Sequence, residues 1–263
     1  MQHDWLMPDW PAPATVRALC TTRSGGVSTG PYESLNLGDH VGDAPAAVQA
    51  NRRLLQQALG VRPVFLQQIH GRQVATLDAQ TPDGTPADGC MTHSPGVACT
   101  IMVADCLPVL FTNRKGSAVA AAHAGWRGLA GEGGRGVLES TIESFRALAH
   151  TDTGDGAAEI IAWLGPCIGP EQFEVGPEVK AAFEVHDPPA AACFRPRAGG
   201  KWLADLAGLA RRRLQALGIT SIHGNDGSAP WCTVSDPSRF FSHRRDAVAL
   251  GGSGRLAACI WLV

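Results

Sequence analysis

Residues 97–128, VACTIMVADCLPVLFTNRKGSAVAAAHAGWRG, constrain this chain more than any other stretch. The segment holds two apolar runs, each ending in a residue capable of chemistry: Cys106 in ADCLP and His123 in AAAHAGW. The run 97–111 is apolar and β-branched enough to read as buried strand, and Asp105, Cys106 and Pro108 interrupt it where a strand stops being useful as structure. Polar chemistry is therefore held at a buried edge. Taken singly, Cys106 reads as a small core hydrophobe and His123 as a satisfied core imidazole.

The flanking chain sets the fold class. Residues 14–22 read as a first strand, followed by a long loop carrying Arg23, Asn36, Asp39 and His40; a loop of this length is functional or disordered, and the order around it favours function. Helical spacing runs over 45–59 and ends at Gly60, a left-handed cap. Residues 61–77 read as a strand, a turn at His70-Gly71-Arg72 and a second strand, which places His70 at a strand end. A Gly-rich turn after Arg127 leads into a helix from about Arg135, with Val137, Leu138, Ile142, Phe145 and Leu148 on one side. That turn, after a strand and before a helix, suits an anion facing His123, although neither a P-loop nor a dinucleotide fingerprint is present. Then come a strand at 159–165, a Gly-Pro turn, helices near 177–185 and 202–217, a strand at 219–224, a loop through 231–246 and a strand at 255–263. Strands outnumber helices in mixed order, which predicts an α+β fold with a mixed or mostly antiparallel sheet covered by helices, in a single catalytic domain over 1–263.

Composition excludes several classes. A net charge of −2 gives no broad basic surface, so neither nucleic acid nor a membrane is expected as partner. The eight cysteines are scattered without CxxC spacing, which reads as reduced thiols rather than a disulfide framework. The N-terminus lacks a basic start with a long apolar run, and no window is apolar enough to span a bilayer; a cytoplasmic location is expected.

His70, Cys106 and His123 together make a three-donor set of the kind that catalytic zinc uses, with a fourth position left for water or substrate. Nearly the same atoms serve a rival reading, a nucleophilic Cys106 with His123 as its base and a third residue orienting the imidazole. His70 separates the two: a metal site needs it and a dyad does not. Asp105, beside a donor, is an acid/base or an orienter, and the orienting role is favoured because a strand would point it away from the face of Cys106. For an anion, Arg127 has the guanidinium fork and the location; Arg23 and Arg244 are the other candidates. Cys167 reads as a core thiol between tight turns.

The motifs TTRSGGVS, NLGDHVGD, LQQIHG, ADGC, ADCLPVLF, AAAHAGWRG, GPCIGP and FFSHRRD, in order from about residue 14 to the C-terminus, resemble the bacterial laccase-domain family, whose members have been labelled multicopper polyphenol oxidases and peptidoglycan editing factors and are described as purine nucleoside phosphorylases. The resemblance carries the family's metal ligands onto His70, Cys106 and His123. It implies a layered α-β-β-α sandwich with mixed, largely antiparallel sheets, similar to bacterial toxin deamidase folds. It also implies zinc-dependent phosphorolysis of adenosine, inosine and S-methyl-5′-thioadenosine, with deamination of adenosine through a metal-activated water. Multicopper oxidation is disfavoured: the chain has nine His and no His-X-His pair, so copper is expected only as an adventitious occupant of the same three donors. The peptidoglycan label suggests the alternative of a cysteine amidase acting on cell-wall precursors, and a non-catalytic binding module is a third reading. The expected partners are purine nucleosides and phosphate, and the expected assembly is a monomer or small homo-oligomer.

Overall fold

The computed structural model describes residues 4–153 and 159–263; the first three residues of the N-terminal stretch lie outside them. In chain order the elements are β1 (Val16–Cys20), α1 (Pro45–Leu59), β2 (Arg62–Phe65), β3 (Val74–Thr76), β4 (Gly89–Thr92), β5 (Val97–Val103), β6 (Leu107–Asn113), β7 (Val119–Ala124), α2 (Trp126–Ala130) and α3 (Val137–Thr153). There follow β8 (Ile160–Leu164), β9 (Glu174–Val175), α4 (Pro177–Glu184), β10 (Phe194–Pro196), β11 (Trp202–Ala204), α5 (Leu206–Ala216), β12 (Ser221–Gly224), α6 (His243–Leu250) and β13 (Leu256–Leu262).

Two sheets carry the architecture. One has four strands in the order β1-β13-β5-β2, the other six in the order β12-β8-β6-β7-β4-β3. Antiparallel pairing holds their interiors, and the parallel pairs β2–β5, β12–β8 and β3–β4 all lie at edges. Period-two alternation places the layers. In β13, Leu256, Ala258, Ile260 and Leu262 face a core shared with Val119 and Ala121 of the other sheet. The intervening Ala257, Cys259 and Trp261 face Leu55 and Leu59 of α1. On the outer face of the six-stranded sheet, Val109, Phe111, Ala120 and Ala122 meet Val137, Ile142 and Phe145 of α3 and Leu209 and Leu214 of α5. The result is the α-β-β-α sandwich that the resemblance implies.

Local signals explain most elements. Pro45 opens α1 and Gly60 closes it at φ 70°, and the predicted apolar side of α3 is its buried side. Several elements differ from their reading in the sequence. The run 97–111 is not one strand: β5 belongs to the four-stranded sheet and β6 to the six-stranded one, and the chain crosses between sheets at Ala104-Asp105-Cys106. The two strands read in 61–77 are present as β2 and β3, and they likewise lie in different sheets. The predicted helix 202–217 is strand β11 followed by α5, divided by Asp205, whose side chain accepts from Gly208 N–H at 2.8 Å. The short helices α2 and α6 occupy segments read as turn and loop. No helix among the described residues is long and apolar enough to cross a membrane.

Candidate metal centre

The crossing between sheets builds the site. Cys106 ends the crossing turn one residue before β6. His123 lies opposite Pro108 in β7, where alternation turns it, like Val119 and Ala121, towards the other sheet. His70 sits not at a strand end but in the loop between β2 and β3, at φ 58°. His70 and Asp105, at φ 86°, are the only non-glycine residues with positive φ among those described. Such backbone costs about 1–3 kcal/mol per residue and is concentrated at functional sites.

The donor atoms of His70, Cys106 and His123 all lie within 4.8 Å of one another, the one cluster of its kind among the described residues. His70 Nε2 is 3.7 Å from Cys106 Sγ, and tetrahedral zinc bonds to S and N imply ligand separations of about 3.3–3.8 Å. The donor set therefore fits a single ion of the zinc type. Gly125, between β7 and α2, makes room for it: a Cβ there would stand 2.9 Å from both Cys106 Sγ and His70 Cδ2.

Asp88, which the sequence reading passed over inside ADGC, holds two of the three donors. It is fully buried. Its Oδ1 lies 2.8 Å from His123 Nδ1, which leaves Nε2 to face the cluster. The same carboxylate accepts the backbone N–H groups of Ile69, His70 and Gly71 at 3.1, 2.9 and 2.7 Å. Burial works against the Asp88 carboxylate, but His123 and these N–H groups outweigh it and keep its pKa below the usual carboxylate range. Burial likewise opposes the charged forms of Cys106 and His123, and their mutual attraction prevails, helped at Cys106 by His70 and at His123 by Asp88. The thiol is lowered to about 6 and the imidazole raised to about 9.

Two pockets adjoin the cluster. An open cleft of about 380 Å³ is lined by His70, Gly71, Arg72, Arg127 and Glu132. Arg127 is the second residue of helix α2 rather than part of a turn, is exposed, and lies over the Trp126 ring at 4.4 Å. Its guanidinium makes no hydrogen bond to a described residue. The Gly-rich connection after it does not present a free helix end: Gly136 N–H is taken by Glu139 at 2.7 Å, and Glu139 pairs with Arg213 at 3.2 Å. A smaller pocket of about 140 Å³ lies beside Cys106, lined by Trp126, Phe173, Leu206, His243 and Arg244.

The remaining candidates are braces. Arg23 donates to the carbonyls of Glu33 and Pro237 at 2.8 and 2.9 Å and packs over Phe241, away from the cluster's two pockets. Arg244 reaches the smaller pocket, but its guanidinium donates to the Glu174 carbonyl at 3.1 Å. Asp105 is in the crossing turn and not in a strand; its carboxylate accepts from Thr233 Oγ1 and from Arg244 N–H, both at 2.6 Å, and so orients the turn. Cys167 is a core thiol that accepts from Asn225.

The profile of the family described as multi-copper polyphenol oxidoreductase laccase matches residues 17–263. Proteins named purine nucleoside phosphorylase from Pseudomonas aeruginosa and Escherichia coli (YfiH) are 50% and 46% identical, each over 98% of both chains. A crystal structure of a Neisseria meningitidis protein, 48% identical, superposes with a TM-score of 0.87 over 98% of this chain and 99% of that one. YlmD from Geobacillus stearothermophilus, 31% identical, gives 0.84 over 100% and 98%. With both the full length and the layered fold in common, the chain belongs to the multi-copper polyphenol oxidoreductase laccase family.

Proposed function

We propose that the chain is a zinc-dependent purine nucleoside phosphorylase that takes adenosine, inosine and S-methyl-5′-thioadenosine with phosphate, and that it also deaminates adenosine to inosine. The observation that carries this reading is a one-ion cluster of His70, Cys106 and His123 beside a cleft to which Arg127 brings a guanidinium that stacks on Trp126 and makes no hydrogen bond to a described residue. The names of the full-length relatives support it. Zinc held by His70, Cys106 and His123 would supply a Lewis acid there. Arg127, with Arg72 across the cleft, binds phosphate through the planar fork suited to oxyanions. Asp88 keeps the His123 tautomer and the His70 loop fixed, so the site is organised before substrate arrives. The family's copper description does not extend to a multinuclear centre here, since the described residues offer one three-donor cluster.

A second reading has its own support. Cys106, His123 and Asp88 form the sequence of nucleophile, base and orienter that a cysteine amidase needs, with a thiol already lowered to about 6. Incubation with adenosine, with and without phosphate, followed by separation of the products, distinguishes them. The phosphorylase reading expects adenine and ribose 1-phosphate only with phosphate present, and inosine in both cases. In His70→Ala it expects loss of bound zinc and a fall in turnover of at least 100-fold. A His70→Ala enzyme that keeps its activity while a thiol reagent at Cys106 abolishes it would sink the zinc reading.

A further inference from the structure

The cluster stands between two unlike pockets. Cys106 opens on the smaller one and His70 on the larger, and neighbouring Trp126 and Arg127 are divided between them in the same way. A nucleoside attacked by phosphate has the same asymmetry: a flat, weakly polar base on one side of the reacting carbon and a dianion on the other.

The smaller pocket has the walls for a flat ring. Ile168, Phe173 and Leu206 line it and are 3%, 7% and 1% exposed, so they belong to the packed core and present a fixed surface. Trp126 adds a half-buried indole. A volume of about 140 Å³ admits a bicyclic heteroaromatic ring and leaves the sugar outside. The polar groups are nearly all engaged: Asp105 with Thr233 and the Arg244 N–H, the Arg244 guanidinium with Glu174. His243 is the exception. Its imidazole, at the start of α6, is exposed and makes no hydrogen bond to a described residue. An imidazole donates through one nitrogen and accepts through the other, which suits the nitrogen and 6-substituent edge of a purine.

We propose that this pocket is the subsite for the purine base and that His243 is the side chain that reads the base's polar edge. The assignment rests on the phosphorylase reading above. Every base has a π-face that stacks on an aromatic wall whatever its substituents, so the apolar walls give affinity and His243 gives discrimination.

The test uses the zinc-loaded full chain and three readouts: the Kd of free hypoxanthine by calorimetry, KM for inosine, and KM for phosphate with zinc content as control. His243→Ala changes an exposed residue and is expected to fold normally. It is expected to raise the hypoxanthine Kd and the inosine KM about tenfold, with phosphate KM and zinc content unchanged; His243→Gln is expected to recover part of the loss. Leu206→Trp, which fills the pocket, is expected to abolish hypoxanthine binding while zinc remains bound. Normal turnover with wild-type Kd and KM in both variants overturns the subsite and leaves the phosphorylase reading standing. Hypoxanthine binding that depends on His243, in an enzyme with no phosphate-dependent turnover, upholds the subsite and overturns that reading. A wild-type protein that neither binds hypoxanthine nor turns over a nucleoside overturns both.

Discussion

Cys106 is a thiolate in the metal-free protein at neutral pH because two imidazoles face it and a buried carboxylate keeps one of them charged. A thiol lowered to about 6 loses its proton as pH rises through 6, while His123, raised to about 9, stays protonated until pH approaches 9. Between those values the pair is a thiolate facing an imidazolium. Alkylation of chelator-treated protein, followed at the Cys106 peptide by mass spectrometry, is expected to rise with a midpoint near pH 6 and then level off. Asp88→Asn removes the charge that supports His123, so its midpoint is expected to move up towards the ordinary thiol value. A wild-type midpoint near 9, or an Asp88→Asn profile that does not move, would contradict the electrostatic account.

At the scale of elements, the site depends on how closely β7, α2 and the His70 loop approach one another. Gly125 has an ordinary φ of −65°, so alanine is compatible with the backbone, and its methyl would meet Cys106 Sγ and His70 Cδ2 at 2.9 Å. Gly125→Ala is therefore expected to fold with a near-normal melting temperature and to bind zinc on the order of 10–100-fold more weakly in a chelator competition. An unchanged zinc affinity would show that the junction is looser than the geometry indicates. The same junction explains what was legible in the sequence. The caps of α1, the buried side of α3 and the alternation in β13 are local patterns, and each reads correctly from residues a few positions apart. The crossing after Val103 is not local: β5 and β6 are equally apolar, and nothing in their composition says that they enter different sheets. The helix α6 begins with His243, Arg244 and Arg245, too polar to stand out as more than loop. Asp88 was hidden for a related reason. Its partners His70 and His123 lie 18 and 35 positions away, so its role appears only once the sheets are formed. The three donors were legible because each stands in an otherwise apolar or Gly-bounded context.

For the whole molecule, an ion held by His70, Cys106 and His123 would be a ligand of the native state alone, because the unfolded chain scatters donors drawn from those three positions. At zinc concentrations near 100 times Kd this linkage contributes about 2.7 kcal/mol, and for a protein of this size each kcal/mol moves the melting temperature by roughly 2–4 °C. Treatment with a chelator is expected to lower the melting temperature by about 5–10 °C, and added zinc to restore it; equal melting curves with and without metal would argue against a bound ion. The topology adds a constraint on assembly. The strand β13 lies inside the four-stranded sheet, between β1 and β5, and Leu262 pairs with Val16. As the chain is made from its N-terminus, β5 has no β13 to pair with until residues 256–262 have been added, and the turn that carries Cys106 hangs from β5. The setting of the Cys106 thiol is thus among the last features to be put in place, so a chain cut short during synthesis lacks the β5–β13 framework from which its turn hangs.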